Sequence, residues 1–572
     1  MFYLVIATMI TAVVAGAGSR TAVGLVITFA FTAALTYLVM PVLAPDFAGI
    51  WWVAIISLLA GGGISILLTS DGKQGFTACS AAAAGMIAFF IAAFVSSSPI
   101  LRADSYHRLL GPVEVIPFEQ AMSRLDTTGR PVADRAVIDQ QHVRLVDAVL
   151  ATRRAQELLG KDAEFGGTYT LGEMELTRRE GRLTWAAPLD YTGFFRWLNG
   201  NGTPGYVWVD AHDSREAGIV KDVAGRPIQM VCTENAWGSQ NLMRSVWTRG
   251  FHTIGLDDPK FEIGPDGRPF FVIPTYDHAV GFSGANPTGT LVVDPQTCVP
   301  TWYTLANTPS WVNRMISASI AVEQVEDWGA YVRGWLNQSS FGSHIDTRQT
   351  TPGVELVSTS QNGDTAWYIG LTTAGNRNGT TGFMLVDSRT KKATYFEQAG
   401  ATEEGARDAI LGQVAEKRGW TSTWPILYNI QGRATYLATL KDAAGNFKGV
   451  ALMPVDDRNL VIVADDLRRA LQAYTQALAG RAHGTPGAAP SETEITLDGV
   501  VARLSHEVVD GNSVYWMTLQ ERPGDVFTAT NRIGPQVALT REGDQIRMRA
   551  QGEAGAPLTV LSLENRRAIQ AR

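Results

Sequence analysis

The chain has 572 residues, with 48 Lys and Arg against 55 Asp and Glu, a formal net charge of −7 and three cysteines. So long a chain exceeds what one hydrophobic core serves, and several domains are expected. The acidic balance gives no electrostatic footing for nucleic acid, and three cysteines exclude a disulfide-dense scaffold.

Residues 1–100 hold four charged side chains, Arg20, Asp46, Asp71 and Lys73, two of each sign, so the net charge belongs to residues 101–572. They punctuate apolar runs at 2–17, 21–43, 50–69 and 76–97. A helix needs about 20 apolar residues to cross hydrocarbon, so an N-terminal α-helical transmembrane bundle of about four helices is expected. The run 2–17 is short for a span and lacks a basic flank, which argues for a helix rather than a signal peptide. Trp51 and Trp52 fit an interfacial aromatic belt. Gly61-Gly62-Gly63 and the run Ala81 to Gly85 offer small faces for close helix packing. No ionisable residue lies inside a run, which disfavours a transporter or channel. Arg20 and Lys73 on one side oppose Arg102 and Arg108 on the other, so the positive-inside rule sets no orientation.

After a connector at 101–136, a strand pattern recurs: a small residue, alternating apolar residues, then Val-Asp. Its copies are Gly205 to Asp210, Gly289 to Asp294, Gly382 to Asp387 and, more weakly, Gly449 to Asp456, with the Asp positions 84, 93 and 69 residues apart. An Asp opening a turn explains the motif without catalysis. Turn pairs at Asp266-Gly267, Asn362-Gly363 and Gln431-Gly432 mark antiparallel hairpins upstream of three copies. Helices are expected at 138–159, 234–249, 311–335 and 402–418, the last capped by Thr402 with Ala406, Ile410 and Val414 on one face. The expected unit is a helix on an antiparallel meander, repeated over 137–225, 226–305, 306–398 and 399–479.

That layout resembles PepSY or cystatin-like modules, which implies binding or inhibition rather than catalysis and a soluble region outside the cytoplasm. Four stretches, Tyr191 to Asn199, Leu256 to Ile263, Pro309 to Arg314 and Leu440 to Gly445, resemble an uncharacterised family of large membrane-anchored bacterial envelope proteins. Some of its members carry a cell-shape label. The resemblance spans about residues 185–475 and implies a multi-pass protein of the bacterial cell membrane. It transfers no catalytic residue. The Ala-rich and Arg-rich segments depart from the family's pattern.

A helix is expected near 464–479, followed by a Gly, Ala, Pro and Ser-rich linker at 480–492. Residues 493–572 alternate in five short strands, an OB-like small β-barrel, with a turn at Asp510-Gly511-Asn512. A nucleic-acid groove needs cations and stacking aromatics. The barrel has no Lys, and Tyr515, Trp516 and Phe527 are few enough to belong to its core.

Candidate chemistry is sparse. His212 lies near Asp210 and Asp213, a set that could bind metal or serve as a base, but a polar post-strand turn is the ordinary explanation. His252 before Asp257 and Asp258 fits no zinc spacing. Gly375 to Gly382 lacks the Walker Lys-Ser/Thr pair and reads as a hairpin loop. Gly281-Phe282-Ser283-Gly284 misses the nucleophile-elbow spacing. Cys232 and Cys298 suit one disulfide or two buried thiols. The many tryptophans read as packing residues. The sequence therefore predicts no catalytic, cofactor-binding or metal residue and no cofactor. It points to a membrane-anchored, non-enzymatic scaffold contacting lipid, itself in an oligomer, and an unidentified protein partner. The alternatives are a PepSY-like inhibitor of an envelope enzyme and a membrane tether for nucleic acid.

Overall fold

The computed structural model describes residues 2–16, 22–68, 72–123, 143–162, 165, 167–359, 364–374, 376–414, 416, 419–482, 494–509, 512–551 and 558–566. The expected turns at 18–20, 71, 362–363 and 510–511, the helix start at 138 and the linker from 483 onward lie outside them. The chain divides into two compact units, 1–406 with 426–429, and 407–425 with 430–572.

The first unit opens with α1 (Phe2–Gly16), α2 (Ala22–Val39), α3 (Ala48–Leu68), α4 (Gly72–Ser96) and α5 (Pro99–His107). Three stretches, Ala22–Val39, Ala48–Leu68 and Lys73–Ser96, are long and apolar enough to cross a membrane. Helix α1 has 15 residues, about 22 Å at the helical rise against a hydrocarbon layer of about 30 Å. Ile10, Ile55, Leu58, Cys79 and Ala83 form the apolar centre of these helices. Gly62 does what a small residue can: an added Cβ would lie 3.0 Å from the Cβ of Cys79, whereas Gly63 and Gly85 face open space. On α2, Gly24, Thr28, Thr32 and Thr36 form the buried face. The Thr28 and Thr36 hydroxyls donate to carbonyls four residues back, which satisfies them inside their own helix.

Beyond these come α6 (Phe118–Ser123), α7 (Ala148–Lys161), α8 (Phe194–Leu198), α9 (Leu242–Thr248), α10 (Ala318–Ala330), α11 (Gly334–Gln338), α12 (Glu403–Gln413), α13 (Leu467–Ala482) and α14 (Pro535–Leu539). Three five-stranded sheets in the first unit are built mainly of antiparallel strands, over 169–220, 255–304 and 348–401. The third gains Val113–Pro117, which runs parallel to Ala393–Ala401; part of the expected connector is thus a strand. The helices before these sheets begin later than periodicity predicts. Asp147, Asn241 and Ser317 cap them by accepting from the N–H of Leu150, Arg244 and Ile320. Upstream of each cap two consecutive N–H groups are bonded elsewhere: directly before Asp147 and Ser317, where this keeps those residues out of the helix, and nine residues before Asn241.

Those N–H groups follow one pattern. Leu145 and Val146 donate to the Ala211 carbonyl, Val231 and Cys232 to that of Pro295, and Met315 and Ile316 to that of Ser388. Each acceptor follows the Asp of a Val-Asp strand. The Asp side chains close the turns as expected: Asp210 accepts from the N–H of His212 and Asp213, Asp294 from Gln296, and Asp387 from Arg389 and Thr390. Trp185 and Trp367, opposite Val209 and Val386, donate their indole N–H to the Val146 and Ile316 carbonyls. The fourth copy differs, since Asp456 pairs with Arg433 and Asp457 closes the turn.

The leading glycine of each copy has a steric cause. An added Cβ on Gly205, Gly289, Gly382 or Gly449 would collide with the carbonyl oxygen of Val220, Tyr303, Phe396 or Ala464 on the neighbouring strand. Only the residue without a Cβ permits that approach.

The second unit carries a sheet in the order Thr421–Ser422, Arg433–Lys441, Phe447–Pro454 and Ile462–Ala464. Ile410 and Val414 of the α12 segment pack on Ala438, Leu440 and Ala451, and Thr402 accepts from the Gly405 N–H as its cap. The C-terminal strands Glu494–Val509, Asn512–Leu519, Arg522–Thr530, Leu558–Asn565 and Gln545–Gln551 neighbour one another in that order and close into a barrel. Arg522–Thr530 and Leu558–Asn565 are parallel. Val501, Met517, Phe527, Ile546, Met548 and Val560 fill the barrel, with α14 contributing Val537. Tyr515 packs half-buried against this core, and the Trp516 indole donates to Glu507.

G382A combines the Cβ collision with a φ of +146° and is expected to cost more than about 2 kcal/mol. G412A, on a helical residue with open space around it, is expected to be neutral or stabilising. Thermal melts of the two variants in detergent check this pair.

Candidate functional site

The residues singled out in the sequence are spent on structure. Asp210 is 6 % exposed and its carboxylate accepts two backbone N–H bonds, while His212 contacts the Val143 carbonyl through Nδ1. Asp213 holds Arg215. His252 contacts the Trp247 carbonyl, and Asp257 accepts from Ser319. The stretch expected to be a glycine-rich hairpin loop is largely strand: Asn376–Asp387 pairs with Asp364–Thr373, while Gly375 lies outside the described residues. Cys232 and Cys298 are free, buried thiols in the core shared by the first two sheets. Among the described residues, no three His, Cys, Asp or Glu side chains gather as a metal site.

The strongest polar constellation is one that sequence reasoning misses. Glu262, on the strand Lys260–Ile263, is wholly buried. Its carboxylate accepts from the backbone N–H of Asn313 at 2.9 Å and of Arg314 at 3.1 Å. The Arg314 guanidinium in turn bonds Glu175 of the first sheet and donates to the Leu176 carbonyl at 2.6 Å, and Lys260 bonds Glu175 at 2.8 Å. The Asn313 carbonyl accepts from the hydroxyls of Ser388 and Thr365 in the third sheet. One buried knot therefore touches all three sheets.

Its electrostatics follow from burial and pairing. Burial alone would raise the Glu175 carboxyl, but the Arg314 and Lys260 cations outweigh it and hold the group below its ordinary value. For Glu262 burial wins, and Arg314 with the two backbone N–H groups offsets only part of it. A buried ionic cluster of this kind gives positional specificity and little net stability, and losing one partner is costly. The signal in the sequence is a charge inside an apolar strand, as in Phe261-Glu262-Ile263.

A second polar site is a cleft of about 360 Å³ lined by Glu326, Gln349, Thr350, Thr351, Pro352, Thr372, Thr402 and Glu404. Glu326 accepts from the N–H and hydroxyl of Thr350. Behind the wall, Glu403 is fully buried and accepts from the Tyr368 hydroxyl at 2.7 Å; burial pushes its carboxyl up. The cleft presents carboxylates and hydroxyls, so it suits hydrogen-bond donors. Next to Glu326, burial and then the charges of Glu323 and Glu326 push Asp327 up to about 7.

No protein-family model matches the chain, and no characterised protein matches it.

A raised carboxyl favours the folded state while protonated. The stability tied to Asp327 is full below about pH 4 and is lost as pH rises through about 7. D327N is expected to melt a few degrees above the parent at about pH 8, with the gap shrinking towards about pH 5. Melts across that range test it, and an equal gap at both ends contradicts it.

Proposed function

We propose that the protein is a membrane-anchored, non-enzymatic scaffold of the bacterial envelope that presents tandem α+β modules and a terminal OB-like barrel, and that it works as an oligomer. The observation that carries this reading is the direct seating of the first unit's sheets on the loops that join the apolar helices. The Trp247 indole donates to the Pro41 carbonyl at 2.9 Å, the Leu43 N–H donates to the His252 carbonyl, His278 contacts the Asp46 carbonyl, and the Phe282 N–H donates to the Ser97 hydroxyl. An anchor so attached fixes the orientation of what it carries, which suits presentation rather than a tethered, freely moving enzyme.

Two further features support it. The shared backbone pattern at Ala211, Pro295 and Ser388 and the four colliding glycines are what repeats of one module require. In chain-order numbering of its strands the barrel closes as 1-2-3-5-4, which favours the OB-like reading. Gly63 and Gly85, which face open space on α3 and α4, leave room for the close approach of a second copy.

Crosslinking of the full-length chain in native membranes is expected to give a ladder of multimers. A strictly monomeric band over the same crosslinker range contradicts the oligomeric scaffold.

A further inference from the structure

Helix α8 reads Phe-Phe-Arg-Trp-Leu and leaves much of its apolar surface bare: Phe194 is 40 %, Phe195 75 % and Leu198 57 % exposed, beside Trp237 at 52 %. The ring of Phe194 touches those of Trp237 and Trp197, with centroids 5.2 and 5.6 Å apart. This is one continuous aromatic patch, and Arg196 is exposed within it.

Its place relative to the apolar helices is fixed by a short chain of contacts. The Trp197 indole donates to Gln240 at 2.7 Å. Asn241, the next residue, caps α9. On α9, the Arg244 guanidinium lies 4.7 Å from the centroid of the Tyr37 ring, near the end of the membrane-type helix α2, and Trp247 bonds the Pro41 carbonyl just beyond it. From Gln240 to Arg244 is about four residues, at most about 14 Å of chain. The patch is therefore linked, through two side-chain contacts and at most about 14 Å of chain, to the Tyr37 end of α2.

Other aromatic and apolar side chains gather at the same end of the apolar helices. Trp51 and Trp52 contact Phe89 and Phe90 at the neighbouring ends of α3 and α4, and Phe90 meets Phe282 at a hairpin tip. Just past α4, Ile100 and Leu101 of α5 are 59 % and 63 % exposed.

We infer that α8 and Trp237 form a second membrane contact, with the aromatic patch inserted in the interfacial layer of the same bilayer that α2 to α4 cross. Phe, Trp and Leu with an Arg on a short helix is the composition that seats at a headgroup boundary, with the cation reaching lipid phosphate. Two attachments would hold the first sheet edge-on to the lipid surface. The inference rests on α2 to α4 crossing the membrane, and it adds a contact that the scaffold reading does not require.

The test uses full-length protein in lipid nanodiscs, with a nitroxide on F195C or L198C. R215C serves as reference: Arg215 has an 88 % exposed side chain and follows the strand Tyr206–Asp210, at the opposite end of the first sheet from α8. At 195 and 198 the label is expected to collide with oxygen several-fold more, relative to an aqueous nickel complex, than at 215. A ratio equal to that at 215 overturns the inference. Low access to both quenchers also overturns it, because a protein then covers the patch. Carbonate extraction of the same variants in native membranes separates the failures: release without detergent removes the transmembrane reading itself, while retention with a water-exposed label removes only the second contact.

Discussion

The carboxylate of Glu262 organises the first unit. It has no contact with solvent, yet it stays bonded because two consecutive backbone N–H groups, those of Asn313 and Arg314, point at its two oxygens. Fixing those N–H groups fixes Arg314, and Arg314 neutralises Glu175 in the sheet before. Fixing Asn313 presents its carbonyl to Ser388 and Thr365 in the sheet after. Leaving any of these buried groups unpaired would cost far more than the pairing gains, so the arrangement tolerates one register.

The apolar helices extend the same logic towards the membrane. Backbone within hydrocarbon must be satisfied internally, so it is helical, and loops can form other bonds only at the ends. Those ends are where the sheets attach, through Pro41, Leu43, Asp46 and Ser97. Stacking of Phe47 on His278 at 4.3 Å adds an apolar seat to the polar contacts. The sheets and the membrane helices of the first unit are consequently bonded to one another at several points along the chain.

Local signals make part of this architecture legible in the sequence. Apolar run length marks the spans Ala22–Val39, Ala48–Leu68 and Lys73–Ser96, and five alternating segments mark the closed barrel. The Val-Asp motif marks turns because an Asp acceptor two or three residues before free N–H groups is a local device. Periodicity places the helix start at 311 too early, since the competing acceptor for Met315 and Ile316, the Ser388 carbonyl, is distant in sequence. The strand Val113–Pro117 is invisible for the same reason: the strand it pairs with begins at Ala393. The buried knot escapes notice because a charge in an apolar strand reveals nothing of its partner until the sheets are assembled.

Amide hydrogen exchange of the full-length chain in detergent, resolved to the individual N–H groups of Asn313 and Arg314, tests most directly whether the knot joins the three sheets. Asn313 and Arg314 have no helix or strand of their own to protect them, so protection there reports the Glu262 carboxylate. The account predicts exchange in the slowest class, together with the central strands Pro269–Val280 and Asn376–Asp387. Exchange as fast as an exposed turn such as 211–216 would contradict it.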